Sequence, residues 1–153
     1  MSIDRRAVAS LMLSAAALVS LVMSESYTST AVIPVPGDVA TIGFGTTEGV
    51  KLGDKITPPV ALQRALMDVQ KFEGALKQCV TVPLSQNEYN AYTQLAYNVG
   101  SKAFCGSTLV RKLNAGDYAG ACLEIKRWDK FQGKPLRGLT LRREREYQLC
   151  ITP

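Results

Sequence analysis

The chain has 153 residues, 46% of them hydrophobic and 20% charged, which excludes a disordered tail, a collagen-like repeat and a polytopic membrane protein. A single domain of this length can bury a real core. Histidine is absent, so imidazole bases, histidine metal ligands and a Ser-His-Asp triad are excluded. Any acid-base chemistry falls to carboxylates or other groups, and a net charge of +5 favours an anionic partner.

Asp4, Arg5 and Arg6 precede an uncharged run from Ala7 to Ser24, AVASLMLSAAALVSLVMS. As a helix this run would span roughly 27 Å, just enough to cross a bilayer with the arginines left in the cytoplasm. Half of it is Ala or Ser, so it would hold to lipid weakly. A cleavable signal peptide is the alternative, but no A-x-A site closes the run. Cys79, Cys105, Cys122 and Cys150 lack C-x-x-C spacing, which argues against zinc and, in an exported chain, for two disulfides. No metal or other cofactor is expected.

From Ser26 to Gly53 the chain is rich in Thr, Val, Gly and Pro and reads as short strands and turns. Val32–Ile33 and Val39 to Phe44 are strand-prone, with Pro36, Gly37 and Asp38 as turn material between them. Thr57 before Pro58 starts a long helix to about Lys77, with Leu62, Leu66, Val69, Phe72 and Leu76 on its apolar face. Ser85 and Glu88 form a capping box, with Leu84 and Tyr89 as its hydrophobic staple, for a helix that stops at Gly100. Ser107 caps Thr108 to Leu113, and Asp117 caps Tyr118 to Trp128. Gln132 to Gly138 reads as a loop, and Thr140 precedes a last basic helix ending at Cys150.

Glu25-Ser26-Tyr27, TIGFGTT at Thr41 to Thr47, LAYNVG at Leu95 to Gly100 and the block FCGSTLVRKLNAGDYAGAC at Phe104 to Cys122 resemble the phage lysozyme family of endolysins, glycoside hydrolase family 24. The resemblance covers nearly all of the chain beyond residue 24. It implies an α+β, lysozyme-like fold, mostly helical, in which a small β-hairpin lobe flanks a glycan cleft. It also implies hydrolysis of the β-1,4 bond between N-acetylmuramic acid and N-acetylglucosamine in peptidoglycan, by a monomer, with host lysis as the outcome.

Glycoside hydrolysis needs a proton for the leaving oxygen and a second group near the oxocarbenium-like centre. By resemblance Glu25 is the general acid, and packing of the preceding apolar helix would supply the desolvation that keeps such a carboxyl protonated. The family aspartate is missing: its two possible registers fall on Pro34 and Val35. Asp38 is the nearest carboxylate and the assigned second one, with Glu48 a further candidate. Thr41 matches the family threonine. Gly43 and Gly45 would let a sugar approach the backbone, Asn98 matches an amide facing the cleft, and Arg142 matches an arginine that pairs with the catalytic glutamate, Arg143 being one residue away.

Residues 1–24 resemble a signal-anchor-release segment, and 25–153 form the catalytic domain. The segment would be exported by the host Sec translocon and tethered in the inner membrane. It would be freed to the periplasm when a holin or pinholin collapses the membrane potential, then refold as a first helix that presents Glu25. A lytic transglycosylase, which needs no water-activating carboxylate, and a catalytically inactive cell-wall binding protein are the alternatives. The scattered basic residues give no nucleic-acid pattern. For the cysteines, the short Asn-Ala-Gly turn between the Ser107 and Asp117 helices suggests Cys105 with Cys122, leaving Cys79 with Cys150.

Overall fold

A computed structural model describes residues 3–153. The order is a 3-10 turn (Val8–Ser10), α1 (Ala15–Ser24), β1 (Thr28–Val32), β2 (Thr41–Gly43), α2 (Pro58–Cys79), α3 (Gln86–Val99), α4 (Ser101–Cys105), α5 (Thr108–Asn114), α6 (Tyr118–Glu124), β3 (Lys130–Phe131), β4 (Lys134–Pro135) and α7 (Arg137–Ile151). This is the mostly helical α+β arrangement with small antiparallel hairpins that the sequence implies. The chain divides into two compact units: the residues up to Ala17 together with Phe72–Pro153, and Leu18–Lys71, so that α1 and α2 each run from one into the other.

The first, helical unit is built on local signals that hold as written. The Ser85 hydroxyl accepts from the Glu88 amide at 3.1 Å and the Glu88 carboxylate from the Ser85 amide at 2.8 Å, completing the capping box. The staple residues Leu84 and Tyr89 are both fully buried. Ser107 caps α5 through the Val110 amide, and Asp117 caps α6 through the Gly120 amide. The core gathers Val8, Leu11, Leu76, Leu84, Tyr92, Leu95, Phe104, Leu113 and Ile125.

Two disulfides close this unit, and their pairing differs from the expected one. Cys79 joins Cys105 and Cys122 joins Cys150, with Cα separations of 5.6 and 5.7 Å. Cys105 ends α4 rather than belonging to the α5–α6 hairpin, and it reaches back to the α2 terminus, where its sulfur lies 3.6 Å from the Ala75 carbonyl. Cys122 lies on the buried face of α6, so it meets α7.

The second unit holds the β1–β2 hairpin, antiparallel with Thr28 opposite Gly43 and Val32 opposite Thr41 and an irregularity between. Ile33 lies beyond the strand. The buried face of α2 is also rotated from the expected one: Ala61, Ala65, Val69 and Leu76 are buried, while Leu62 and Leu66 are exposed. Alanine is favoured there because a strand passes closely. A Cβ on Gly43, where φ is +64°, would come within 2.9 Å of the Ala61 Cβ.

The N-terminal run is not one helix. It forms a 3-10 turn, an extended stretch and a ten-residue helix. Among the described residues no helix is long and apolar enough to cross a membrane. The expected loop at Gln132–Gly138 contains instead a two-residue turn at Gln132-Gly133, both at positive φ, joining β3 to β4, and α7 starts at Arg137, ahead of Thr140.

Candidate active site

Glu25 stands one residue past α1, half-buried, its amide bonded to the Val22 carbonyl at 3.2 Å so that the helix closes just before it. The uncharged sequence of α1 thus delivers a carboxyl at the end of an apolar helix.

The second carboxylate has two candidates, both within Leu18–Lys71, and each has a local duty. Asp38 sits in the exposed bend after Gly37, outside the strand, so alternation does not govern its direction. Its Oδ1 accepts from the Val39 amide at 2.8 Å, as turn aspartates do. Glu48 is ion-paired to Lys71 and well exposed. Thr41 opens β2, half-buried, with its hydroxyl donating to the Val39 carbonyl at 3.2 Å. One short segment therefore carries Asp38, Thr41 and Gly45.

Gly43 is buried, and its bare Cα faces Ala61. The close approach of α2 by itself requires a glycine at this position. Gly45, half-buried with φ of +94°, turns the chain at the tip beside Phe44, whose ring lies 5.3 Å from that of Tyr27. Behind the tip the Thr46 hydroxyl donates to Asp68 at 2.6 Å. A pocket of about 330 Å³ opens beside this pair and is lined also by Arg64 and by Lys71 with its Glu48 partner.

In the helical unit the two arginines converge on one carboxylate. Arg143, 1% exposed, donates to Asn98 Oδ1 at 2.9 Å and pairs with Glu146 at 2.8 Å. Arg142 pairs with the same Glu146 at 3.3 Å. Asn98 therefore accepts from Arg143, which fixes the direction of its amide. Burial pushes the Glu146 carboxyl above its usual range, and the two guanidiniums oppose that shift. Sequence reasoning missed Glu146 as the hub, although its spacing from Arg142 and Arg143, one helical turn, was there to read.

Two further shifts come from the same unit. The Lys112 ammonium, 2.8 Å from Glu124, holds that carboxyl below the usual range, and Arg127 adds to the effect. Desolvation and the Glu73 carboxylate push the Tyr89 hydroxyl far up, so it remains a hydrogen-bond donor, here to Glu73 at 2.8 Å. Among the described residues no cluster of acidic or cysteine side chains could hold a metal ion.

A carboxyl after an apolar helix, a glycine-tipped hairpin and a helical body closed by disulfides are the arrangement of a lysozyme-like protein of cell-wall lysis. The Phage lysozyme family profile matches residues 16–146, and the chain belongs to that family. It is 38% identical over 143 residues to a SAR-endolysin of Pseudomonas phage phiKMV, an alignment covering 91% of this chain and 88% of the relative. Among solved structures it is similar to the muramidase domain of SpmX from Asticaccaulis excentricus, with a TM-score of 0.84, 27% identity, and coverage of 94% of this chain and 99% of that one. It is also similar to an endolysin from Escherichia coli O157:H7 phage FAHEc1, with a TM-score of 0.79, 32% identity, and coverage of 93% and 94%. The chain is thus an enzyme of the lysozyme (muramidase) type, and peptidoglycan is the polymer on which its family acts.

Proposed function

We propose that this chain is a phage endolysin that hydrolyses the β-1,4 bond between N-acetylmuramic acid and N-acetylglucosamine. Glu25 protonates the leaving oxygen. Asp38 and Thr41 serve the anomeric carbon and the attacking water. Gly43, Gly45, Asn98 and Arg142 serve glycan binding. The observation that carries this reading is the position of Glu25, half-buried directly after an uncharged helix, in a chain of the phage lysozyme family. Glu25→Gln keeps the shape of the side chain and removes its proton. Purified variant and parent, matched by circular dichroism and assayed on peptidoglycan, should differ by at least about a hundredfold. An active variant overturns the assignment.

The second reading is a lytic transglycosylase, favoured by the local duties of Asp38 and Glu48. Such an enzyme needs the acid alone and leaves 1,6-anhydro ends, whereas hydrolysis leaves reducing ends. Mass spectrometry of the released fragments separates the two.

The same proposal places residues 1–24 in the inner membrane after Sec export, ahead of release to the periplasm. Physical support comes from charge. Asp4, Arg5 and Arg6 sum to one positive side-chain charge on the cytoplasmic side, which a potential negative inside holds back by about 2.3 kcal/mol per 100 mV. Collapse of that potential by a holin or pinholin removes the restraint. Full-length protein that appears in the membrane fraction first and in the soluble periplasm after depolarisation supports the tether. A mature chain beginning after residue 24 refutes it.

A further inference from the structure

Glu25, Ser26 and Tyr27 join the end of α1 at Ser24 to the start of β1 at Thr28. This joint carries the proposed acid, and its near end is fixed to α1 by the Glu25 amide on the Val22 carbonyl. Its far end is Tyr27, which has no part in the chemistry proposed above. The tyrosine nonetheless makes two contacts that reach far along the chain.

β1 has a neighbour on each side. β2 pairs with it on one, with Thr28 opposite Gly43. On the other run residues 54–56: the Ala31 amide donates to the Asp54 carbonyl and the Ile56 amide to the Ser29 carbonyl, both at 2.9 Å, and Thr30 bridges Lys55. Tyr27 takes hold of both neighbours. Its hydroxyl donates to the Ile56 carbonyl at 3.0 Å, and its ring lies 5.3 Å from that of Phe44. Phe44 belongs to the same hairpin as Thr41, and Ile56 lies just ahead of Pro58, where α2 begins.

At 38% exposure Tyr27 adds little to the core, so its contribution lies in direction rather than in burial. The ring is held at its body by Phe44 and at its tip by Ile56, as an amphipathic aromatic allows. The far end of the joint is therefore pinned to the hairpin that carries Thr41, while the near end follows α1. Proton transfer to a leaving oxygen demands close placement: a displacement of about 1 Å can cost on the order of a hundredfold in rate. We propose that Tyr27 is a positioning residue for Glu25. It holds the Glu25 carboxyl in place relative to Thr41 through the backbone of residues 25–28, without itself touching the glycan. This inference rests on the reading of Glu25 as the acid. Phenylalanine at this position keeps the ring contact and loses the hold on Ile56, whereas leucine loses both.

The test is made on the purified full-length chain with soluble peptidoglycan fragments, comparing Tyr27→Leu, Tyr27→Phe and Glu25→Gln with the parent. Turnover is referred to the folded fraction, read from denaturant unfolding. Tyr27→Leu should lower kcat at least about tenfold with KM within about twofold of the parent, and Tyr27→Phe should recover all but about threefold of kcat. A tyrosine with a purely structural role would lower the midpoint of unfolding and leave kcat per folded molecule unchanged, a result that overturns the proposal. A raised KM at parental kcat overturns it as well, because Tyr27 would then be a contact to the glycan. Should Tyr27→Leu fail to fold, Tyr27→Phe decides alone, and a parental kcat there refutes the positioning role. An active Glu25→Gln removes the acid and the proposal together. An inactive Glu25→Gln beside fully active tyrosine variants refutes the positioning role and leaves the acid standing.

Discussion

Each unit is stabilised internally by different means. The unit that includes Phe72–Pro153 is closed by two disulfides, three side-chain helix caps and buried ion pairs at Glu88 and Glu146. Leu18–Lys71 has no disulfide. Its few buried apolar residues include Leu21, Ala31, Ile42, Ala61, Ala65 and Val69, and its polar side chains mostly serve their own turns. The proposed acid and its companions, Glu25, Asp38 and Thr41, lie in this second, less braced unit. Asp38 and Thr41 are carried by a turn and a short strand, where φ, a single hydrogen bond and one close approach decide direction, while the cross-links lie in the helical body that carries Asn98 and Arg142.

Breaking the cross-links should give the largest effect on stability. Each disulfide closes a loop of 26 or 28 residues, for which the chain-entropy estimate is about 3.5 kcal/mol. Replacing Cys122 and Cys150 together by alanine should lower the stability of the purified oxidised chain by about that much, read from denaturant unfolding. Peptide mapping of the parent under non-reducing conditions should join Cys79 to Cys105. A Cys105–Cys122 peptide would refute the pairing.

In the other unit the equivalent stress point is a glycine. Gly43→Ala puts a Cβ 2.9 Å from that of Ala61 at a residue with φ of +64°. Strain and overpacking together should cost about 2 to 3 kcal/mol. Ala61→Gly in the same chain relieves only the contact, so recovery of part of the loss sharpens the division between packing and backbone strain. If Gly43→Ala is neutral, the close approach of β2 to α2 is wrong.

The same contrast explains what could be read from the sequence. In the helical body the signals are local: Ser85 with Glu88, Ser107 and Asp117 each announce a helix start within one turn, and all three caps are present. Disulfide pairing is not local. It depended on Cys105 ending a separate short helix, which the spacing to the next cap did not reveal. On α2 the leucine spacing points to the wrong face, because the approach of Gly43 selects alanine for the buried one. Glu25 and Thr41 stand in legible motifs and Asp38 in a broken one, whereas the Arg143–Asn98–Glu146 group depends on the register of α7 against α3.

The smallest expected effect lies at the α5–α6 junction, where Lys112 and Arg127 both reach Glu124. The folded state holds this carboxyl below its usual value of 4.5, chiefly through the Lys112 hydrogen bond. A group with a lowered folded pKa binds its proton more readily when unfolded. Its contribution to stability is therefore complete above the unfolded value and is lost as pH falls through the folded one. Lys112→Met removes the main cause while retaining most of the aliphatic stem. The variant should unfold at a slightly lower temperature than the parent at pH 7, and the gap should narrow as the pH is taken from about 5 downward. Because the pair joins two helices within one unit, glycan hydrolysis at 25 °C should be unchanged. A gap that widens in acid would mean that Glu124 is held by something other than Lys112, and a large loss of activity would tie this braced junction to the proposed catalytic residues of the other unit.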